Sequence, residues 1–213
     1  MRPIFITGIG TDVGKTIASV IIVHALYADY WKPVQAGLDE ETDSDFVRKM
    51  LKGSQSVVHP EIYRLKLAAS PHIAAAKETI NIELDQIESQ LPSIDRFVVI
   101  EGAGGIMVPL NSNEFVIDLI AKLNAQVILV SRNYLGSINH SLLTAALCRQ
   151  KKLDVLGWIF NGKYGDYEDQ ISGWTGLPII GKIPDLPNIT PAIFKDQSLM
   201  LKENLLRIIK QRG

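Results

Sequence analysis

The chain has 213 residues, 46% hydrophobic and 21% charged, a balance that excludes a disordered polymer and fits a globular protein. Lys plus Arg number 22 and Asp plus Glu 23, for a formal net charge of −1. Nothing in that balance suggests nucleic acid or an anionic membrane as the main partner.

One sizeable core fits this length, and no repeat or Pro/Gly-rich linker divides the chain, so residues 1–213 are expected to form a single domain. Cys148 is the only cysteine, which excludes an internal disulfide and a cysteine-built metal cage. It lies in the run SLLTAALC and is expected to be buried and inert. Met1-Arg2-Pro3 leads directly towards a strand with no signal-peptide pattern. The longest apolar stretch, 17–28, contains His24 and is too short to span a bilayer. A cytoplasmic location is therefore expected.

In chain order, short β-branched runs alternate with longer helical patterns. PIFIT (3–7), RFVVIEG (96–102), AQVILVS (125–131), DVLGWIFN (154–161) and LPIIGKIP (177–184) read as nearly continuous apolar strands. Such runs suit a parallel sheet covered on both faces. A shorter candidate, DYWKPVQAG (29–37), breaks at Lys32-Pro33. Helical patterns occupy 15–28, 43–52, 70–78, 114–123, 137–151, 166–174 and 198–211. The alternation predicts an α/β fold with a doubly wound, mostly parallel sheet. Ligands in such sheets bind beyond the carboxyl ends of the strands, so the residues just after each apolar run are the candidates for function.

After the first run comes FITGIGTDVGKT (5–16). It resembles a phosphate loop, but the usual G-x-x-x-x-G-K-[ST] spacing would need glycine at Ile9, whereas the glycines are Gly8 and Gly10. A glycine-rich turn feeding a helix still aims free N–H groups and the positive dipole end at an anion. Lys15 adds a point charge for the β- and γ-phosphates, and the Thr16 hydroxyl can take Mg²⁺. Lys32, after the second run, would reach the same cleft, where two lysines suit the holding or transfer of negative charge. The acids of DEETDSDFVRK (39–49) precede a helix, and most suit its dipole; Asp45 is a candidate metal ligand among them.

VVIEGAGGIMVPL (98–110) places Glu101 directly after a buried strand, where a Walker-B-type acid would hold Mg²⁺. The glycines that follow, Gly102, Gly104 and Gly105, let the backbone approach a ligand closely. In RNYLGSINH, Ser137 is expected to cap a helix whose first N–H groups suit an anion. Ser70 caps another helix with Pro71 at its first position. His140 is expected to be structural, His72 either structural or cleft-lining, and His24 and His59 carry no functional signal. Asn161 and the KIPD segment (182–185) end the last two strands at the ligand edge, where an amide and strand-end backbone suit an adenine.

Together these segments resemble the dethiobiotin synthetase family of P-loop enzymes over most of the chain: TGIGTDVGKT, WKPVQAG, DSD, SPH, VVIEGAGGIMVPL, LGSINH, GWIFN and GKIP, in that order. The family's phosphate loop carries the same extra residue. The resemblance implies ATP and Mg²⁺ as cofactors, with Thr16, Asp45 and Glu101 as metal ligands. Asp12, Val13, Gly14, Lys15, Thr16 and Ile17 would cradle the phosphates, and Lys32, with Lys15 and Thr11, would serve catalysis. Gly102, Ala103, Gly104 and Gly105 would contact nucleotide and substrate. Asn161, Ile183, Pro184 and Asp185 would form the adenine edge.

The implied substrate is 7,8-diaminopelargonic acid, bound by Thr11, Lys32, Ala36 and Gly105. Leu135, Gly136 and Asn139 from the second copy of a homodimer would complete its site, with Tyr167 as a further contributor. Where this chain has Ala36 the family usually has Ser or Thr, and one lost neutral hydrogen bond is worth roughly 0.5–1.5 kcal/mol. The implied reaction forms a carbamate from one amine and CO₂, passes the γ-phosphoryl group to it, and closes the cyclic urea with the second amine. The alternative is a partitioning-type switch ATPase acting through a protein partner. Against it, Gly10 stands where such ATPases carry a signature lysine, and the WKPVQAG segment has no place in that function.

Overall fold

A computed structural model of the chain describes residues 1–92, 95–162, 165–186 and 188–212. Four strands form the middle of the main sheet: β1 (Ile4–Gly8), β6 (Val98–Gly105), β7 (Gln126–Arg132) and β8 (Asp154–Asn161). On one side β2 (Asp29–Trp31) and β4 (Val58–His59) extend it, and on the other β9 (Ile179–Ile183). The order is β4-β2-β6-β1-β7-β8-β9, and every pairing is parallel. A small second sheet pairs β3 (Val34–Ala36) with β5 (Tyr63–Leu65).

Alternation along the strands places side chains on both faces. Phe5, Ile100, Val127 and Leu129 enter one apolar layer, while Ile4, Ile6, Val99, Ile128 and Val130 enter the other. The first layer is closed by α3 (Pro71–Lys77), α4 (Leu84–Ser89), α5 (Val116–Lys122), α6 (Ser137–Gln150) and α7 (Glu168–Thr175). The second is closed by α1 (Lys15–Leu26), α2 (Asp43–Met50) and α8 (Pro191–Arg212). Burial on both faces is why these strands read as continuous apolar runs. Cys148 is a buried free thiol, pushed up to about 12 by burial. No helix among the described residues is long and apolar enough to cross a membrane.

Pro33 interrupts the edge of the sheet as expected, because it has no N–H to give to a ladder. Its carbonyl instead accepts from Ile62 and Tyr63, both at 3.0 Å, and the chain leaves the main sheet for β3. Two boundaries differ from the sequence reading by three residues or more. β6 continues three residues beyond Gly102, to Gly105, which pairs with Gly8 across an irregular register. α8 begins at Pro191 rather than 198, since its first turns bury Phe194 and Ser198 under a polar-looking sequence.

Candidate active site

The phosphate loop leaves β1 and enters α1 at the carboxyl edge of the sheet. Gly14 takes φ +90°, and a Cβ there would collide with Asn161 Nδ2, so glycine is favoured. The first N–H groups of α1, from Lys15 to Ile17, have no partner within the helix and are aimed outward. Lys15 curls back and donates from Nζ to the Gly10 carbonyl at 2.9 Å. Burial holds its ammonium below the ordinary lysine pKa and Lys32 pushes the same way, against the pull of Glu101 and Asp43.

One residue on, the Thr16 hydroxyl lies 2.6 Å from Asp43 Oδ1 and 2.9 Å from Glu101 Oε1. Strand alternation explains this meeting. Tyr30 and Val99 are register partners, and continuing two residues along each strand brings Lys32 and Glu101 to the same face, under the start of α1. Lys32 Nζ bridges the acids, 2.6 Å from Asp43 Oδ2 and 3.1 Å from Glu101 Oε1. Lys32 is 5% exposed and Glu101 1%. Burial opposes the Lys32 charge, but Glu101 and Asp43 outweigh it and hold the ammonium above its ordinary pKa. Burial likewise works against the Asp43 carboxylate, yet Lys32, with a bond from Thr16, holds its pKa below the usual range. Tyr30 donates to Glu101 Oε2 at 3.0 Å.

Asp45, the sequence candidate for the metal, lies outside this cluster and belongs to the cap of α2: its N–H donates to Thr42 Oγ1 at 3.2 Å, and its carboxylate accepts from Thr42 Oγ1 and Arg48, each at 2.7 Å. The Asp45 side chain is 50% exposed. Two residues back along α2 is a turn of about 200°, and that turn is what sends Asp43 into the site and Asp45 out.

A cavity of about 730 Å³ opens over this cluster. Thr11, Asp12, Gly14, Lys15, Thr16 and Ile17 line one part, and Lys32, Ala36, Glu101, Ala103 and Gly104 continue it. Residues missed from the sequence also line it, notably Asp43, Gln35 and Ser70; only position after a strand or at a helix start could have flagged them. Val13 is buried beneath the loop rather than lining the cavity. Gly102 lies against the Phe5 ring, and Gly105 against Gly8 and Gly10 of the loop.

Asn161 reaches the loop directly, donating from Nδ2 to the Val13 carbonyl at 3.2 Å, and it pairs in register with Ile183. Pro184 and Asp185 follow at the same edge. Leu135, Gly136 and Asn139 lie outside the cavity, around the start of α6, where Leu135 is 87% exposed. Gly136, not Ser137, occupies the cap position. The buried Ser137 hydroxyl instead meets Tyr167 OH at 2.8 Å, so Tyr167 sits with this stretch in its own chain. His72 Nδ1 pairs with Ser70 Oγ at 3.0 Å, and His140 Nδ1 with Tyr134 OH at 2.7 Å.

Among the described residues no cluster of three or more His, Cys, Asp or Glu is suited to a metal. The site instead offers a hydroxyl and two carboxylates, a partial set of hard oxygen donors for a cation that keeps water and phosphate in its shell. That Lys32 lies between the two acids shows that this spot holds positive charge.

A parallel sheet with a phosphate loop opening α1, and a buried acid within the neighbouring strand, defines a P-loop ATPase. A family model described as "AAA domain" matches residues 2–192. The ATP-dependent dethiobiotin synthetase of Cytophaga hutchinsonii is 46% identical over 206 residues, covering 96% of this chain and 98% of that one. Its counterpart in Christiangramia forsetii is 42% identical over 205 residues, with the same coverage of 96% and 98%. The chain belongs to the family of ATP-dependent dethiobiotin synthetases. Among solved structures, the septum site-determining protein MinD of Pyrococcus horikoshii, complexed with Mg-ADP, superposes with a TM-score of 0.63 at 14% identity, over 96% of this chain and 93% of that one. The cell division ATPase MinD of Pyrococcus furiosus gives 0.62 at 16% identity, over the full length of both. At those identities the likeness is one of fold.

Proposed function

We propose that this chain, acting as one domain over residues 1–213, closes 7,8-diaminopelargonic acid with CO₂ to dethiobiotin at the expense of ATP. One observation carries the reading: a single cavity is lined both by the phosphate loop and by Lys32, Gln35, Ala36 and Ser70, outside that loop. A switch ATPase working through a protein partner needs no room for a second ligand beyond the γ-phosphate.

Phosphates would lie on the N–H groups of Asp12 to Ile17 against Lys15, and the adenine at the edge formed by Asn161, Ile183, Pro184 and Asp185. Thr16, Glu101 and Asp43 would hold Mg²⁺. Held there, it would supply positive charge to offset the negative charge on the transferring group. One substrate amine takes up CO₂ as a carbamate, whose oxygen attacks the γ-phosphorus as ADP leaves. The second amine then attacks the anhydride carbon, phosphate departs, and the urea ring closes. Lys32 and Lys15 flank the transferred group and supply fixed charge where negative charge develops. Thr11, at the loop, and the backbone of Gly102 to Gly105 orient the two ligands. This chemistry needs positioning and charge more than a nucleophile from the protein.

The partners are small molecules and a second copy of the chain, in the cytoplasm, with no nucleic acid or membrane involved. In a homodimer of the kind the family resemblance implies, Leu135, Gly136 and Asn139 would reach the partner's substrate, and the exposed Leu135 (87%) and Leu143 (60%) around and along α6 are available to a second copy. The test is carbon-13 NMR of the product made from labelled bicarbonate, ATP and the diamine. Label in the urea carbonyl of dethiobiotin is expected. Label left in bicarbonate while ATP is consumed would overturn the reading.

A further inference from the structure

Tyr30 is fully buried in the apolar layer that β2 shares with α1 and α2, among side chains such as Val20, Val47 and Val99. A phenol hydroxyl is costly there unless its proton is bonded. It donates to Glu101 Oε2 at 3.0 Å, and among the described residues that oxygen has no other hydrogen bond. The second carboxylate oxygen, Oε1, lies 2.9 Å from the Thr16 hydroxyl and 3.1 Å from Lys32 Nζ. One oxygen of Glu101 thus faces the core and the other faces the phosphate loop.

We propose that Tyr30 is a positioning residue for the cation site: its hydroxyl fixes the plane of the Glu101 carboxylate, so that one oxygen is held toward Thr16 and Asp43. The proposal rests on the metal role assigned to Glu101 above. The terminal torsion of a glutamate is broad and roughly twofold, so a carboxylate held at one oxygen only is free to turn. Tyr30 removes that freedom from below, while Thr16 and Lys32 define it from above. The register makes the contact automatic, since Tyr30 pairs with Val99 and Glu101 follows two residues later on the same face. Tyr30 has no exposed surface and does not line the cavity. Its effect passes entirely through Glu101.

The test is calorimetric titration of ADP into the wild-type protein and Tyr30→Phe, once with Mg²⁺ and once with EDTA. Tyr30→Phe keeps the buried ring and removes only the donor. Affinity in EDTA should be unchanged, while the gain produced by Mg²⁺ should shrink roughly 10-fold or more, as for loss of a bond that orients a metal ligand. An equal Mg²⁺ gain in both proteins overturns the proposal, and so does an equal loss with and without Mg²⁺, which would mark a packing role. Absence of any Mg²⁺ gain in the wild type strikes instead at the metal site itself. If the phenylalanine variant does not fold, a fluorinated tyrosine at position 30 keeps the shape and changes only donor strength. The Mg²⁺ gain must then shift, and an unchanged gain again overturns the proposal.

Discussion

Asp43 Oδ2 lies 2.6 Å from Lys32 Nζ, so the first residue of α2 is tied to the residue that follows β2. The contact decides which acid of the DSD stretch belongs to the site. Asp43→Asn should therefore raise the Mg²⁺ needed for half-maximal turnover roughly 10-fold or more. Asp45→Asn should leave that requirement unchanged and cost only about 0.3–1 kcal/mol through the helix start. Turnover against Mg²⁺ concentration separates the two, and a larger shift for Asp45→Asn would mean that α2 turns when nucleotide binds.

Lys32→Ala should lower kcat by roughly 10²–10³, the range for loss of one donor at a developing charge, and change the affinity for ADP far less. Steady-state kinetics beside calorimetry gives the split, and equal losses would make Lys32 a simple nucleotide contact. The variant also leaves Glu101 and Asp43 facing each other without a cation. Breaking a buried pair costs about 3–5 kcal/mol, and the partly exposed Asp43 side chain places this case at the lower end. A lowered Tm that Mg²⁺ restores is expected.

Much of this site was legible from order alone. Lys15, Thr16, Lys32 and Glu101 each follow an apolar run, and a parallel sheet delivers such residues to one edge. The Asp43–Asp45 choice was not legible, because it depends on how far the first turn of a helix has rotated, and both acids suit a helix start equally. Tyr30 was hidden too, since a tyrosine in a strand tells nothing of where its hydroxyl ends. In the fold, β4 and β5 escaped because two- and three-residue strands carry no period. α4, six residues long, was likewise too short to show one.

Acid stability should depend on the same pair. Burial raises the Asp43 pKa, but Lys32 more than reverses it, so the folded value is depressed. A depressed carboxyl stabilises the fold fully above its unfolded pKa of about 3.9 and loses that contribution as pH falls through the lower folded value. Urea titrations from about pH 5 down to pH 2 should show a shallower decline for Asp43→Asn than for the wild type. Parallel curves would mean that the Lys32 bridge contributes nothing to stability.

Leu143 is 60% exposed on α6, beyond the exposed Leu135. Leu143→Glu should convert a dimer to monomer, read by light scattering after gel filtration, and turnover should fall while ADP affinity is kept. A monomeric variant with full turnover would remove Leu135, Gly136 and Asn139 from the substrate site.

The most direct measurement is ADP release by the purified chain with MgATP and bicarbonate, with and without 7,8-diaminopelargonic acid. ADP formed only with the diamine, mole for mole with dethiobiotin, is the predicted result. ATP turnover that ignores the diamine would contradict it and point to a switch ATPase built on the same fold.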